Sequence, residues 1–373
     1  MRYFNLYVLI CLSAILPVLQ IQAQPLSQNN IPIDGISAIQ CSGTSMPYLY
    51  ERRSQSAPPA GYMPFYINHL GRHGARNLTS ASQIVAVLNV LDDAEQNNML
   101  TARGKDIALF LTRFKKQSDD KWGQLTLLGK EEQRNLARRM IANYPAVFDP
   151  VREDSMCVFA ISTGVHRCIE SMDNFTSELK SIMPSLLIRT DAGKQFDSIL
   201  RFFDCNPAYT EYKKEGKWRN EYERFYKQNT PVKRVKELLF ATEFSLPEES
   251  LKHFVNNLFE IHAILPDLNI LFSMNDLFPV EDARKLWENG NLSQYLRKGP
   301  SVTGNGLPVD IAAPLLEDFL LTSRQAIEVG GTSADLRFAH AETLIPFAAL
   351  LGIPQASARI AQPQQVAGSW QDF

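Results

Sequence analysis

The chain has 373 residues, with 38 Lys and Arg against 40 Asp and Glu, and a formal net charge of −2. Apolar residues make up 45% and charged residues 21% of the sequence, which is ordinary for a globular protein. These figures exclude a disordered chain, a collagen-like repeat and a strongly basic nucleic-acid coat protein. The length allows two domains, or one large domain that carries an insertion.

The first 23 residues predict a cleavable export signal. Arg2 supplies a positive charge, Tyr7 to Leu19 form an apolar run, and Ala23 is a small residue of the kind that precedes a cleavage site. The alternative is a membrane anchor, but the run is shorter than the ~20 residues needed to cross a bilayer. We expect cleavage after Ala23 and a soluble, exported chain, periplasmic or secreted, with no membrane association afterwards.

Five cysteines occur, and Cys11 lies within the predicted signal. An exported protein can form disulfides, and four remaining cysteines allow three connectivities. None of the four has a spacing typical of zinc or redox sites. We expect small buried residues or a bridge, and the pairing stays open. The four are Cys41, Cys157, Cys168 and Cys205.

Residues 24–60 are rich in Pro, Ser, Gln and Asn and predict a loosely structured lead-in. Short apolar runs predict four strands, at Tyr62–Leu70 (ended by Gly71), Met156–Ile161, Leu186–Arg189 and Leu336–His340. Helical periodicity follows most of these runs, at 80–94, 98–117, 127–143, Val165–Met183, 310–328 and Glu342–Leu351, the last ended by Gly352. Between 206 and 297 the periodicity is mostly helical, with no convincing strand.

The alternation of strands and helices predicts an α/β fold, a three-layer sandwich with a mostly parallel central sheet covered on both faces. Residues 61–205 and 298–373 are expected to form this core, and residues 206–297 an inserted α-helical cap domain. In such folds, ligands bind beyond the carboxyl ends of the strands. The residues that follow the first, second and fourth strands are therefore the candidates for a site.

The first strand is followed by Arg72-His73-Gly74-Ala75-Arg76. A guanidinium group presents a planar fork of donors that suits phosphate oxygens, and glycine lets a ligand approach the backbone. A neutral imidazole can act as a nucleophile when one ring nitrogen is fixed by a hydrogen bond. The alternative is a basic surface turn, but the second arginine and the preceding apolar strand favour a histidine that attacks phosphorus between two arginines.

The second strand is followed by Ser162-Thr163-Gly164-Val165-His166-Arg167, which places Arg167 in the first turn of a helix. Helix N-termini favour anions. The alternative is an ordinary exposed arginine.

The fourth strand is followed by His340-Ala341-Glu342. Residues two apart share a face of an extended chain, so we expect His340 and Glu342 to point into one pocket. His340 can donate to a phosphate oxygen, and Glu342 can protonate the leaving group and later deprotonate water. The alternative is a helix start with an acid favoured by the helix dipole.

Together the three segments resemble branch 2 of the histidine phosphatase superfamily, the histidine acid phosphatases and phytases. Most acid phosphatases of this branch carry His-Asp at the third segment, whereas His340-Ala341-Glu342 is similar to the multiple inositol polyphosphate phosphatase group, as is His-Arg-Cys at 166–168. The resemblance covers about residues 62–352 and is weak in the helical insert.

The resemblance implies that His73 is the nucleophile that becomes phosphorylated and that Glu342 is the proton donor. It implies that phosphate is held by Arg72, Arg76, Arg167 and His340. It also implies that no metal and no cofactor take part, and the sequence contains no HExxH motif and no Asp-rich calcium loop. The expected partners are small-molecule phosphate esters, with no nucleic acid; the oligomeric state stays open.

Two departures from the family pattern occur. The family usually has proline two residues after the second arginine, where this chain has Leu78. Members also usually continue with further strands after the His-Ala-Glu helix, so we expect a missing C-terminal piece.

The insert contains a basic stretch between Asn206 and Phe240, with nine basic and five acidic side chains and a net charge of +4. Such a stretch could attract a polyphosphorylated substrate, or it could be a solvated helix with ion pairs between neighbouring turns. Aromatic residues interleave with the charges and are expected to pack the insert rather than bind single-stranded nucleic acid. The basic residues are Lys213, Lys214, Lys217, Arg219, Arg224, Lys227, Lys233, Arg234 and Lys236.

These features predict an exported phosphomonoesterase that hydrolyses inositol polyphosphates such as phytate through a phosphohistidine. A broad acid phosphatase for sugar phosphates or nucleotides is the alternative enzyme. A catalytically inactive binder of phosphate ligands is the alternative of another class.

Overall fold

The computed structural model of the chain describes residues 40–48, 57–149 and 157–369. The predicted export signal, with Cys11, and residue Met156 of the second predicted strand lie outside the described residues. Of the predicted lead-in, residues 40–48 and 57–60 are described, and Gln40–Ser45 form a short 3-10 helix.

Four parallel strands form one sheet in the described part of the chain. They are β1 (Ile67–Arg72), β2 (Cys157–Ser162), β3 (Leu187–Ala192) and β4 (Thr332–Ala339). The order is β1-β4-β2-β3, and each neighbouring pair is parallel. The carboxyl ends of β1, β4 and β2 therefore lie side by side at one edge of the sheet.

Helices account for most of the other described residues, and the predicted α/β class is confirmed. The first four are α1 (Ser82–Gln96), α2 (Ala102–Ser118), α3 (Leu127–Asn143) and α4 (His166–Ile182). Between β3 and β4 lie α5 (Asp197–Leu200), α6 (Phe202–Cys205), α7 (Pro207–Glu215), α8 (Trp218–Asn229), α9 (Lys233–Leu239), α10 (Glu248–Ile264), α11 (Val280–Lys298), α12 (Leu307–Asp310) and α13 (Ala313–Glu328). After β4 come α14 (Ala341–Leu350) and α15 (Val366–Ser369).

The predicted strand bounds are wrong in detail. The first strand begins at Ile67 and not at Tyr62, because Pro64 has no N–H for a strand ladder. Gly71 does not end it but lies within it, paired with Phe338. The third and fourth strands are longer than predicted, and the fourth ends at Ala339, one residue before His340.

The sheet is the middle of three layers, because alternate residues of its strands pack in opposite directions. On one face, Val158, Leu336 and Phe338 join Phe175 of α4 in one apolar cluster. On the other face, Ala339 packs with residues of α13 and α14 in a second cluster. Both faces are therefore buried, as a parallel sheet requires.

The largest apolar cluster lies away from the sheet. It combines α1 and α2 with α9, α10 and α11, through residues such as Leu91, Leu111 and Val255. Helices α1 and α2 fall within the predicted sheet-bearing core, and their packing shows that they also support the helices between β3 and β4. The division into core and cap stays a prediction.

The four cysteines that remain after the predicted signal are free thiols. Cys41, Cys157 and Cys168 are buried, and Cys205 is exposed. The expectation of small buried residues therefore holds for three of the four, whereas Cys205 is neither buried nor bridged. Within residues 40–48, 57–149 and 157–369, no helix is both long enough and apolar enough to cross a bilayer.

Candidate active site

The three motif segments meet at the carboxyl edge of the sheet. The His73 N–H donates to the Ala339 carbonyl at 3.0 Å, which joins the loop after β1 to the end of β4. The Thr163 N–H donates to the Phe338 carbonyl at 3.3 Å, which joins the loop after β2 to the same strand. These two backbone bonds place His73, Thr163 and His340 around one site.

The loop after β1 is held by helices α3 and α4. The Ala75 N–H donates to Glu132 Oε2 at 2.7 Å, and the Gly74 N–H donates to Ser171 Oγ at 3.1 Å. Position 74 must be glycine, because a Cβ there would lie 2.3 Å from the Gly129 carbonyl oxygen at the start of α3. The close approach fixes the backbone that carries His73.

The His73 ring is 7% exposed and is oriented by its own loop. Its Nδ1 lies 2.9 Å from the Gly74 carbonyl oxygen. Because a carbonyl can only accept, Nδ1 carries the proton and Nε2 keeps its lone pair. Burial, followed by the neighbouring Arg72 guanidinium, lowers the pKa of His73 to about 2. The imidazole is therefore neutral, as a nucleophile must be.

His340 faces His73 and is 2% exposed. Arg167 Nη2 lies 3.5 Å from His340 Nδ1, and Thr163 Oγ1 lies 3.2 Å from His340 Nε2. Because a guanidinium can only donate, Nδ1 accepts, and the proton on Nε2 is directed at Thr163. Burial and the Arg167 charge lower the pKa of His340 to about 4, so this ring is also neutral.

Arg72, Arg76 and Arg167 concentrate positive charge beside the two rings. Burial lowers the pKa of each, and the charges of Arg72 and Arg167 lower that of Arg76 further, to about 10. Arg72 Nη1 donates to the Thr44 carbonyl at 2.8 Å, while the buried Nε atoms of Arg72 and Arg167 have no hydrogen-bond partner among the described residues.

Glu342 interacts electrostatically with all three arginines and completes the group of six predicted site residues. The expectation that it lies on an extended strand end is wrong. Helix α14 begins at Ala341, so Glu342 lies in the first helical turn, and only His340 is extended. The helix start, which the sequence analysis kept as the alternative, is the observed geometry, and the carboxylate still faces the site.

Lys298 is a residue of this site that sequence reasoning missed. Its Nζ donates to Glu342 Oε1 at 2.8 Å. Burial raises the pKa of Glu342, but the Lys298 charge and this hydrogen bond outweigh burial and hold the pKa at about 2. A lysine in the last turn of a helix ordinarily complements the helix dipole, so its sequence position gave no signal.

Glu132 and Asp267 were also missed. Glu132 holds the loop after β1 through Ala75 and accepts the Tyr48 N–H at 2.8 Å. Asp267 is 5% exposed, and burial and the nearby Glu132 raise its pKa to about 7. Both carboxyls interact electrostatically with Arg72. Neither belongs to a recognisable sequence motif.

Three of the nine basic side chains of the basic stretch lie in ion pairs, one of them Lys233 with Glu237. Lys213 pairs with Asp204, and Arg234 pairs with Asp282. The aromatic side chains Tyr209, Trp218 and Tyr226 are buried, so they pack the helices, as expected. No group of three or more His, Cys, Asp or Glu side chains suited to a metal ion occurs in the described ranges.

Comparisons with solved structures show the same fold. The multiple inositol polyphosphate phosphatase of Bifidobacterium longum, in complex with inositol hexasulfate, aligns with a TM-score of 0.77 at 20% identity, covering 88% of this chain and 84% of that one. The phytase from D. castellii aligns with a TM-score of 0.59 at 16% identity, covering 90% and 72%.

Comparisons of sequence point to one family. Multiple inositol polyphosphate phosphatase 1 of Homo sapiens is 28% identical over 246 residues, which is 62% of this chain and 49% of that protein. The protein of the same name from Gallus gallus is 26% identical over 311 residues, 79% and 64% respectively. The chain thus spans between about half and two thirds of the length of these relatives. A sequence model of the histidine phosphatase superfamily (branch 2) matches residues 66–372, and the chain belongs to that family.

Proposed function

We propose that this protein is an exported phosphomonoesterase that hydrolyses inositol polyphosphates, phytate among them, through a phosphohistidine on His73. The observation that carries the proposal is the state of the His73 ring. It is neutral, its Nδ1 proton is held by the Gly74 carbonyl, and its Nε2 keeps a lone pair beside Arg72 and Arg167. A nucleophile prepared in this way, next to cations, suits attack on a phosphorus atom.

The reaction has two steps that reuse the same groups. In the first, His73 Nε2 forms a bond to phosphorus, the ester P–O bond breaks, and Glu342 gives its proton to the leaving oxygen. In the second, Glu342 takes a proton from water, the water oxygen bonds to phosphorus, and the P–N bond breaks. Arg72, Arg76 and Arg167 hold the phosphoryl oxygens throughout and stabilise their charge, and His340 joins them when its Nε2–H turns from Thr163 to a phosphoryl oxygen.

The substrate class is proposed from the relatives, since two of them are named as multiple inositol polyphosphate phosphatases. A broad acid phosphatase is the second candidate enzyme. It is favoured by the ion pairs that neutralise several cations of the basic stretch, such as Lys213 and Arg234. Competition between phytate and a small phosphate monoester separates the two. Stronger consumption of phytate at equal concentration supports the inositol polyphosphate assignment.

The chemistry is tested by trapping radiolabelled phosphate on rapidly denatured protein. We expect label on the wild type and on His166→Ala, whose exposed imidazole lies on α4 outside the ring pair. We expect no label on His73→Ala, with turnover lowered roughly a thousandfold or more. Full activity of His73→Ala would refute the proposal. A wild type that binds phosphate esters but traps no label and shows no turnover would be the inactive binder.

A further inference from the structure

Lys298 is buried at a place where lysines are ordinarily exposed. It is the last residue of α11, and it is 3% exposed. A lysine at this position usually extends into water beside the last carbonyls of the helix. Here the ammonium instead lies 2.8 Å from Glu342 Oε1 in the first turn of α14. The contact joins the helices that precede β4 to the candidate proton donor after it.

Hydrogen bonds hold the backbone at the end of α11 in place, and this backbone determines where the Lys298 side chain begins. The Tyr212 hydroxyl donates to the Leu296 carbonyl at 2.6 Å, and the Tyr209 hydroxyl donates to the Arg297 carbonyl at 2.8 Å. Ser301 Oγ donates to the Leu296 carbonyl as well, at 3.1 Å. The carbonyls that a terminal lysine would otherwise complement are already satisfied.

This ion pair conflicts with the first step of the proposed reaction. A proton donor must carry its proton when the ester bond breaks. A carboxylate that accepts a hydrogen bond from an ammonium is held in its ionised form. The other charged and titratable groups that face Glu342 are His340, Tyr209, Arg72, Arg76 and Arg167. A phosphate bound by the arginines would offset their charge, and Lys298 would remain in direct contact with the carboxylate.

We propose that Lys298 is a positioning residue that acts through Glu342: its ammonium keeps the carboxylate ionised and oriented in the ligand-free protein, and the ion pair must open before Glu342 can carry the proton of the first step. The inference rests on the proposed function for the role of Glu342 as donor. The contact itself is a property of the folded chain, so it can be measured without turnover.

The experiment follows the titration of Glu342 by NMR in protein labelled at the glutamate carboxyl carbon, with the resonance assigned from Glu342→Gln. Lys298→Met removes the charge at similar volume, Lys298→Gln keeps a hydrogen-bond donor without charge, and Lys298→Arg keeps the charge. The matched control is Lys252→Met. Lys252 is equally buried, at 4% exposure, and its Nζ lies 2.7 Å from Glu248 Oε1 within α10.

We expect the pKa of Glu342 to rise by about 1 to 3 units in Lys298→Met and Lys298→Gln, which is the range for loss of an adjacent opposite charge. It should stay low in Lys298→Arg and in Lys252→Met. The alkaline limb of kcat/KM should move to higher pH by the same amount, because a donor with a higher pKa stays protonated to higher pH. If Lys298 had only a structural role, its replacement would lower kcat/KM at every pH without moving the alkaline limb.

Equal titration of Glu342 in the wild type and both neutral variants overturns the inference, as does an equal shift in Lys252→Met. Either neutral variant is sufficient for the measurement if the other does not fold. Absence of turnover in the wild type would remove the proposed function, whereas the titration would still report whether Lys298 controls Glu342. The two failures are therefore distinguishable.

Discussion

The rings of His73 and His340 meet edge to face, with their centroids 5.8 Å apart and their planes at 69°. The two residues follow neighbouring strands, β1 and β4, which pair in register up to Arg72 and Ala339. Burial and adjacent arginines lower the pKa of both rings, so both are neutral. The arrangement leaves the positive charge of the site to the guanidinium groups, which hold phosphate in the proposed reaction, whereas the neutral imidazoles serve there for attack and hydrogen bonding.

Replacing Glu342 by Gln should separate the two steps of the reaction. An aryl phosphate with a good leaving group needs little protonation, so Glu342→Gln should still form the phosphohistidine from it. The second step lacks its base, so the labelled phosphoenzyme should accumulate. We expect turnover of an alkyl phosphate to fall roughly 10²–10⁴-fold. Trapping of label after rapid mixing checks this, and a variant that turns over both esters at the wild-type rate excludes Glu342 as acid and base.

The arginines should be needed for phosphate as well as for catalysis. Arg76→Ala removes one cation, and we expect the inhibition constant of inorganic phosphate to rise roughly tenfold or more, as for loss of a charge-assisted hydrogen bond. Arg138→Ala is the control, because Arg138 lies on the surface of α3 in ion pairs with Glu131 and Glu178. Inhibition assays with inorganic phosphate measure both, and equal constants in the two variants would contradict the assignment of Arg76.

Acid should destabilise the fold through its buried histidines. Four of them have a pKa lowered mainly by burial, His69, His262 and His340 to about 4 and His73 to about 2. Below pH 6.5 the histidines of the unfolded chain bind protons, whereas the native rings do not, so the free energy of unfolding falls as the pH decreases. Each such histidine contributes about 1.4 kcal/mol per pH unit in this window. Asp267 has a raised pKa, so the native state binds a proton there that the unfolded chain does not, and this contribution cancels that of one histidine.

Denaturant unfolding at several pH values between 6.5 and 4 measures this slope. His262→Phe tests the cause, because the ring stacks on Phe278 at 5.4 Å and its buried Nδ1 has no hydrogen-bond partner among the described residues. The variant should lower the slope by about 1.4 kcal/mol per pH unit. Identical slopes for variant and wild type would show that His262 is not one of the groups concerned.

Local sequence was sufficient to predict which residues meet wherever a motif directly follows a strand. Parallel strands bring their carboxyl ends to one edge whatever lies between them, so Arg72, His73 and His340 could be placed together from sequence. The conformation at Glu342 could not be decided in this way, although a helix was predicted from Glu342 and begins at Ala341. The segment after His340 is compatible with an extended end and with a helix start, and the helix is what forms.

Contacts between distant helices could not be predicted at all. Lys298 and Glu342 lie 44 residues apart, and their ion pair depends on how α11 approaches α14. The partners of α1 and α2 could not be predicted either. The apolar faces of these two helices indicate that they are buried, but they do not indicate that α10 and α11 cover them. Periodicity specifies that a face is buried, whereas the partner of that face is a property of the whole chain.

The contact between Gly74 and Gly129 gives a test of how tightly the nucleophile loop is packed. Gly74→Ala places a Cβ 2.3 Å from the Gly129 carbonyl oxygen, a backbone atom that cannot move aside as a side chain can. We expect a loss of roughly 1–3 kcal/mol in the free energy of unfolding, the range for overpacking, together with loss of activity because His73 is displaced.

Gly290→Ala is the matched control for this change. Gly290 lies within α11, is exposed, and has nothing within 4 Å of the position of a Cβ. Alanine in a helix interior is favoured over glycine, so this variant should gain about 0.5–1 kcal/mol. Denaturant unfolding of both variants measures the difference. If Gly74→Ala is as stable and as active as the wild type, the loop must accommodate a side chain, and the close packing against α3 does not set the position of His73.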